Sequence, residues 1–170
     1  MNQDRGGCNA MDDRKTENAG NEIFSFLKNV TIFSSFGLDV LRDLLGDCPH
    51  ISKKAGELII EEGTPASEIY IIISGRVSII LDLKTDPFEL AEFGPGDCIG
   101  EASVIGVQNH SASARVTEDA ELFVLSRSTL MSIYEKDKDV FAMLILNIAR
   151  ELARRLYKTD QVLLHYGKNR

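Results

Sequence analysis

From Gly94 to Ser113 the chain reads Gly-Pro-Gly-Asp-Cys-Ile-Gly-Glu-Ala-Ser-Val-Ile-Gly-Val-Gln-Asn-His-Ser-Ala-Ser. Glycines bare the backbone amides, which can donate to a phosphate, while a carboxylate accepts from a sugar hydroxyl. Gly100, Glu101 and Ala102 therefore form one half of a candidate sugar-phosphate cradle. The small polar run His110, Ser111, Ala112, Ser113 forms the other. Cys98, beside the Gly-Asp turn, reads as a residue that fills a barrel rather than as a nucleophile. His50 and His165 stand far from it and suggest no catalytic triad.

Short strands must position this segment. Ile51, Leu58 to Ile60, Ile69 to Ile73, Val77 to Leu81, Phe88 to Leu90, Arg115-Val116 and Ala120 to Ser126 are β-branched or aromatic runs. Turn signals separate them at Gly56, Gly63-Thr64-Pro65, Ser74-Gly75, Asp86-Pro87 and Gly94-Pro95-Gly96. Many short strands at close spacing point to an antiparallel sandwich or barrel. Helices flank them. Ile23, Phe24, Phe26, Leu27 and Val30 fall at helical spacing, and Leu38 to Leu45 makes a short helix with Asp39 in its first turn and Gly46 at its end. Ser128 to Tyr134 is a second short helix. Asp139 to about His165 is a long one, with Asp139 as its N-cap and its end before Gly167. Its stripe of Phe141, Ile145, Ile148, Leu152, Leu156 and Leu163 outruns a small barrel, so a second copy of the chain is expected to cover part of it.

The bulk composition narrows the function. At 170 residues with 44% apolar and 26% charged side chains, the chain suits one domain with a true core. The expected organisation is a flexible tail over 1–20, helices and β-roll over 21–138, and a C-terminal dimerisation helix and tail over 139–170. A net charge of −7 disfavours a nucleic-acid partner. Cys8, Cys48 and Cys98 give neither a metal-ligand spacing nor a disulfide set, which suits a reduced, cytoplasmic setting. No stretch reads as a signal peptide or a membrane span. Neither a Walker loop, a His-Glu-x-x-His motif nor a nucleophile elbow is present, so no enzyme activity and no cofactor are expected.

Taken together, Lys54-Ala55-Gly56-Glu57, Glu62-Gly63, Ser74-Gly75-Arg76-Val77, Gly94-Pro95-Gly96-Asp97 and Gly100-Glu101-Ala102 resemble the cyclic-nucleotide-binding domain family over roughly residues 24–165. The resemblance implies an α+β fold: an antiparallel β-roll (a double-stranded β-helix, jelly-roll-like) with short N-terminal helices and a long C-terminal helix. It also implies a cyclic nucleotide such as cAMP as ligand, with Gly100, Glu101, Ala102, His110, Ser111 and Ser113 in its phosphate-binding cassette and Glu101 on the ribose. Ala153-Arg154-Arg155-Leu156-Tyr157-Lys158-Thr159 resembles the central helix of bacterial catabolite activator proteins. That likeness implies that Thr159 contacts the base and that the helix forms a dimer interface; Asp160 stands where a serine is usual. The chain stops at Arg170, before the helix-turn-helix of those activators.

His110 departs from the family, which places an arginine on the cyclic phosphate; Asn109 likewise replaces a proline. A histidine lacks the permanent charge and the two aligned donors of a guanidinium. It is either a weaker phosphate ligand or a loop residue in a lapsed site. Glu101 likewise reads as a ribose acceptor or as a solvated turn carboxylate. Arg115 would need a bulge to reach the phosphate, and Arg154, Arg155 and Lys158 read as a solvated basic face. Two functions remain. One is a stand-alone sensor of a cyclic nucleotide or related phosphate ligand that signals through its C-terminal helix to a protein partner. The other is a degenerate fold serving as a ligand-independent dimeric scaffold or protein-interaction domain.

Overall fold

The computed structural model describes residues 23, 25–46 and 48–168, and the side chains through 165; the expected N-terminal tail lies outside them. After helical residues at 23 and 25–27 come a 3-10 turn, Thr31–Phe33, and α1, Leu38–Leu45. Six strands follow: β1 His50–Lys53, β2 Leu58–Ile60, β3 Glu68–Leu81, β4 Phe88–Phe93, β5 Cys98–Ile99 and β6 Ser113–Ser126. Helix α2, Glu101–Ile105, lies between β5 and β6, and α3, Arg127–Lys136, and α4, Lys138–Lys168, close the order. The strands form one antiparallel sheet in the order β1-β6-β3-β4, with β2 on β6 and β5 on β3. This is the α+β β-roll that the sequence suggests.

Period-two alternation in β3 explains how a single sheet builds two cores. Ile69 and Ile71 point into a cluster shared with the helices, among Leu27, Phe33, Leu41, Leu130, Leu144 and Ile148. Tyr70 and Ile72 point into the interior of the roll with Ile60, Ile99, Val116 and Leu122. Both faces of β3 are therefore buried, which is why its sequence is almost continuously apolar.

Three expectations need correction. The Ser74-Gly75 signal does not end a strand: β3 and β6 each run unbroken for 14 residues, so the expected strand pairs merge. Gly75 sits at φ +82° in a bulge of the ladder, and a Cβ there would lie 2.3 Å from the Asp119 carbonyl oxygen. This glycine bends the strand without ending it. Asp137, not Asp139, caps α4: it breaks the helical path at φ −150°, and its Oδ1 accepts from the amides of Asp139 (2.9 Å) and Val140 (3.0 Å). Finally, α4 continues through Gly167 to Lys168.

Helix α4 is pinned to the N-terminal segment by a buried amide. Asn147 Nδ2 donates to the Ile32 carbonyl (3.1 Å) and to Ser35 Oγ (2.7 Å). Asn147→Ala removes the donor and strands a carbonyl in the core, an expected loss of about 1–3 kcal/mol. Urea denaturation measures it; a change below about 0.5 kcal/mol would show that this anchor is idle.

Candidate functional site

The cassette begins where β5 turns into α2. Gly100 makes that turn at φ +87°, and a Cβ there would lie 2.7 Å from the Glu68 carbonyl oxygen, so only glycine fits. The next residue, Glu101, is driven inward and is 2% exposed. It is not a solvated turn carboxylate.

Arg155 of α4 meets it. Arg155 Nη1 donates to Glu101 Oε1 at 2.7 Å, Nη2 to the Cys98 carbonyl at 2.9 Å, and Nε to Glu151 Oε1 at 3.1 Å. The guanidinium carbon also stacks over Phe93, 4.5 Å from the ring centroid. Arg155 is thus a clamp between α4 and the cassette, not part of a solvated basic face; Arg154, beside it, is exposed and bonds within its own helix. A sequence signal for this existed. Arg155 continues the buried series Leu144, Ile148, Leu152 at helical steps, so its side chain leaves α4 on the core side.

Burial pushes the Glu101 carboxyl above the usual carboxylate range, and the Arg155 cation pulls it back. Burial likewise works against the Arg155 charge, but Glu101, Cys98 and Glu151 together outweigh it and the guanidinium stays protonated. The pair is an ion pair at neutral pH, secured by direct contact. The Cys98 thiol is pushed far up by burial and by the neighbouring Glu101 charge, so the carbonyl, not the sulfur, is the working atom there.

The other half of the cassette is tied to the β2–β3 loop. His110 donates its amide to the Thr64 carbonyl (2.9 Å) and accepts from the Gly63 amide (2.8 Å); Asn109 bridges to Pro65. Ser113 Oγ accepts from the Glu62 amide at 3.1 Å. His110 is 9% exposed, and burial lowers its pKa, which keeps the imidazole neutral at pH 7. Ala102 and Ser111 are exposed. Arg115 is also exposed, on a β6 rung opposite Ser78. Thr159 is exposed one helical turn beyond Arg155 on the same face, and its hydroxyl donates to the Arg155 carbonyl at 3.1 Å. The structure thus joins Gly100 and Glu101 to α4 through Arg155, a residue absent from the expected site. It presents His110 as a neutral, buried group.

A family model, the cyclic nucleotide-binding domain, matches residues 50–137, which takes in the whole cassette. The chain belongs to the cyclic nucleotide-binding domain family. This cyclic nucleotide-binding domain is 32% identical over 106 residues to the cyclic AMP receptor protein of Thermus thermophilus, covering 62% of this chain and 47% of that protein. It is 30% identical over 87 residues to the lysophospholipase NTE1 of Chaetomium globosum, covering 51% of this chain and 6% of that one. The chain therefore spans less than half the length of either curated relative. Among solved structures, a cyclic nucleotide-binding domain from Methylobacillus flagellatus superimposes with a TM-score of 0.76 at 22% identity, covering 88% of this chain and 85% of that one. At that identity the likeness concerns the fold alone. The matched family is one of regulatory binding domains. Among the described residues, no helix of this domain is long and apolar enough to cross a membrane.

Proposed function

We propose that this chain is a regulatory module that takes a cyclic nucleotide such as cAMP, or a related phosphate ligand, in its cassette and passes the event through α4 to a protein partner. The observation that carries this reading is the Arg155–Glu101 contact. The carboxylate in position to accept a ribose hydroxyl is the same one that holds the C-terminal helix. A ligand hydroxyl at Glu101 must share or displace the guanidinium, so occupancy and helix docking are linked by one set of hydrogen bonds. Gly100 and Ala102 line the approach, His110, Ser111 and Ser113 border the phosphate position, and Thr159 rides on the face of α4 that reaches the cassette. The module binds and does not catalyse. A cytoplasmic setting, with no nucleic-acid or membrane partner, belongs to the same reading and suits the reduced thiol of Cys98.

A homodimer through α4 is part of the proposal. Leu146 and Leu156 are 44% and 63% exposed, and exposed apolar residues in a row on one helix face mark an interaction surface.

Calorimetry with cAMP and its 2′-deoxy analogue tests the ligand half. Glu101→Ala should weaken the ribose form by about 1.5–3 kcal/mol, the worth of a hydrogen bond to a charged group. The deoxy analogue should change much less. Both ligands meet the same disturbed Arg155, so the difference isolates the hydroxyl; equal losses would remove Glu101 from the ribose. A ligand-independent scaffold is the second reading, favoured by the neutral, buried His110.

A further inference from the structure

Helix α4 carries a second stripe beside its buried one. Ala142, Leu146, Ala149, Ala153, Leu156, Asp160 and Leu163 recur at alternating steps of four and three, and all are exposed. That is a 3.5-residue period, the spacing of a left-handed helix pair, with small alanines that allow close approach. A helix with the same period is the surface that fits it, and a second copy supplies one. The stripe contains a single charge, Asp160. In a parallel pair Asp160 occupies the same type of core position as Leu146 and Ala153, where each residue faces its own copy across the two-fold axis.

We propose that Asp160 limits the strength and reach of the α4 pairing: the two carboxylates meet in the seam, repel, and hold the helices apart beyond Leu156. This rests on the homodimer reading above and adds the residue that regulates it. No cation on the stripe offsets the pair. Around Asp160 on its own helix, Leu156, Tyr157, Leu163 and Leu164 lie one turn away, while Lys158 and His165 project from other faces. Asp139 extends the same series, but it sits in the first turn of α4, more than five turns away. A repulsion between exposed charges weakens as salt screens it, so the dimer should tighten with ionic strength.

Sedimentation equilibrium of the full chain at 50 and 500 mM NaCl tests this, using the unmodified protein, Asp160→Asn and Leu156→Glu. Asparagine is tolerated at such a core position in a two-stranded pair. Asp160→Asn should lower the dimer dissociation constant roughly tenfold at 50 mM salt and remove most of the salt dependence. A dimer that forms only in the asparagine variant supports the proposal equally. If the unmodified protein dimerises, Leu156→Glu abolishes it and Asp160→Asn changes nothing, the proposal is overturned and the homodimer reading stands. If unmodified protein and Asp160→Asn are both monomeric at tens of micromolar in both salts, the homodimer reading fails and takes this proposal with it.

Discussion

Arg155→Ala is expected to lose about 3–5 kcal/mol of stability at pH 7.5, because it leaves the Glu101 carboxylate buried without its cation. The lost side chain also releases the Cys98 carbonyl and uncovers Phe93, so the cassette and the second half of α4 come apart together. The pH dependence has a definite sign. Burial already pushes Glu101 upward, and without Arg155 the largest offset to it is gone. A carboxyl whose folded pKa lies above its unfolded value stabilises the fold when protonated, and that contribution is lost as pH rises through the folded value. The deficit of Arg155→Ala should therefore shrink between pH 7.5 and 5. Adding Glu101→Gln should recover part of it at pH 7.5, since a neutral amide tolerates burial better than a lone charge. Urea denaturation of the unmodified protein, Arg155→Ala, Glu101→Gln and the double variant gives the cycle; a loss below about 1 kcal/mol in Arg155→Ala would mean that the clamp is dispensable.

The second large effect belongs to His110→Arg. Its backbone is fixed by Gly63 and Thr64, so the substitution exchanges the side chain within a held loop. A guanidinium adds a permanent charge and a bidentate fork, and a hydrogen bond to a charged partner contributes about 1.5–3 kcal/mol. The affinity for cAMP should rise roughly tenfold to a hundredfold. Burial has lowered the His110 pKa, so the unmodified protein offers a neutral ring, and binding a phosphate there takes up a proton. Its affinity should then increase as pH falls from 7.5 to 6, whereas the arginine variant should be flat over the same interval. Calorimetry at the two pH values decides it. If neither protein binds at millimolar cAMP, the pocket has lapsed and the scaffold reading replaces the sensor.

The candidate cassette was legible as a segment because its residue pattern is local. Gly100, Glu101 and His110 lie within one short segment, and the turn signals around them are set by nearest neighbours. The clamp was not, because Arg155 sits 54 positions from Glu101 and its neighbours Arg154 and Lys158 are themselves exposed. A basic run reads as solvated until packing turns one member inward. The same limit divided β3 at Ser74-Gly75. A glycine before a polar residue signals a turn locally, yet β6 stays paired across it, from Ser74 opposite Glu121 to Arg76 opposite Glu118. The cap of α4 was misplaced by two residues because Asp137 and Asp139 are both sound N-caps in sequence, and only the extended backbone at Asp137 chooses between them.

The long β3–β6 ladder also bears on how such a protein can change. Its last rung pairs Ile80 with Ser113, so residues 81–112 leave the ladder and return to it at adjoining points. Within that excursion, the rungs of β4 and β5 on β3 and the glycine at 100 tie it to the frame. Closing such an excursion depends only weakly on its length, so residues can be added, removed or exchanged at its tips at modest cost. The excursion is therefore a replaceable cartridge in a fixed holder. An exchange within the cartridge, such as His110→Arg, falls outside every β3–β6 rung that forms the holder.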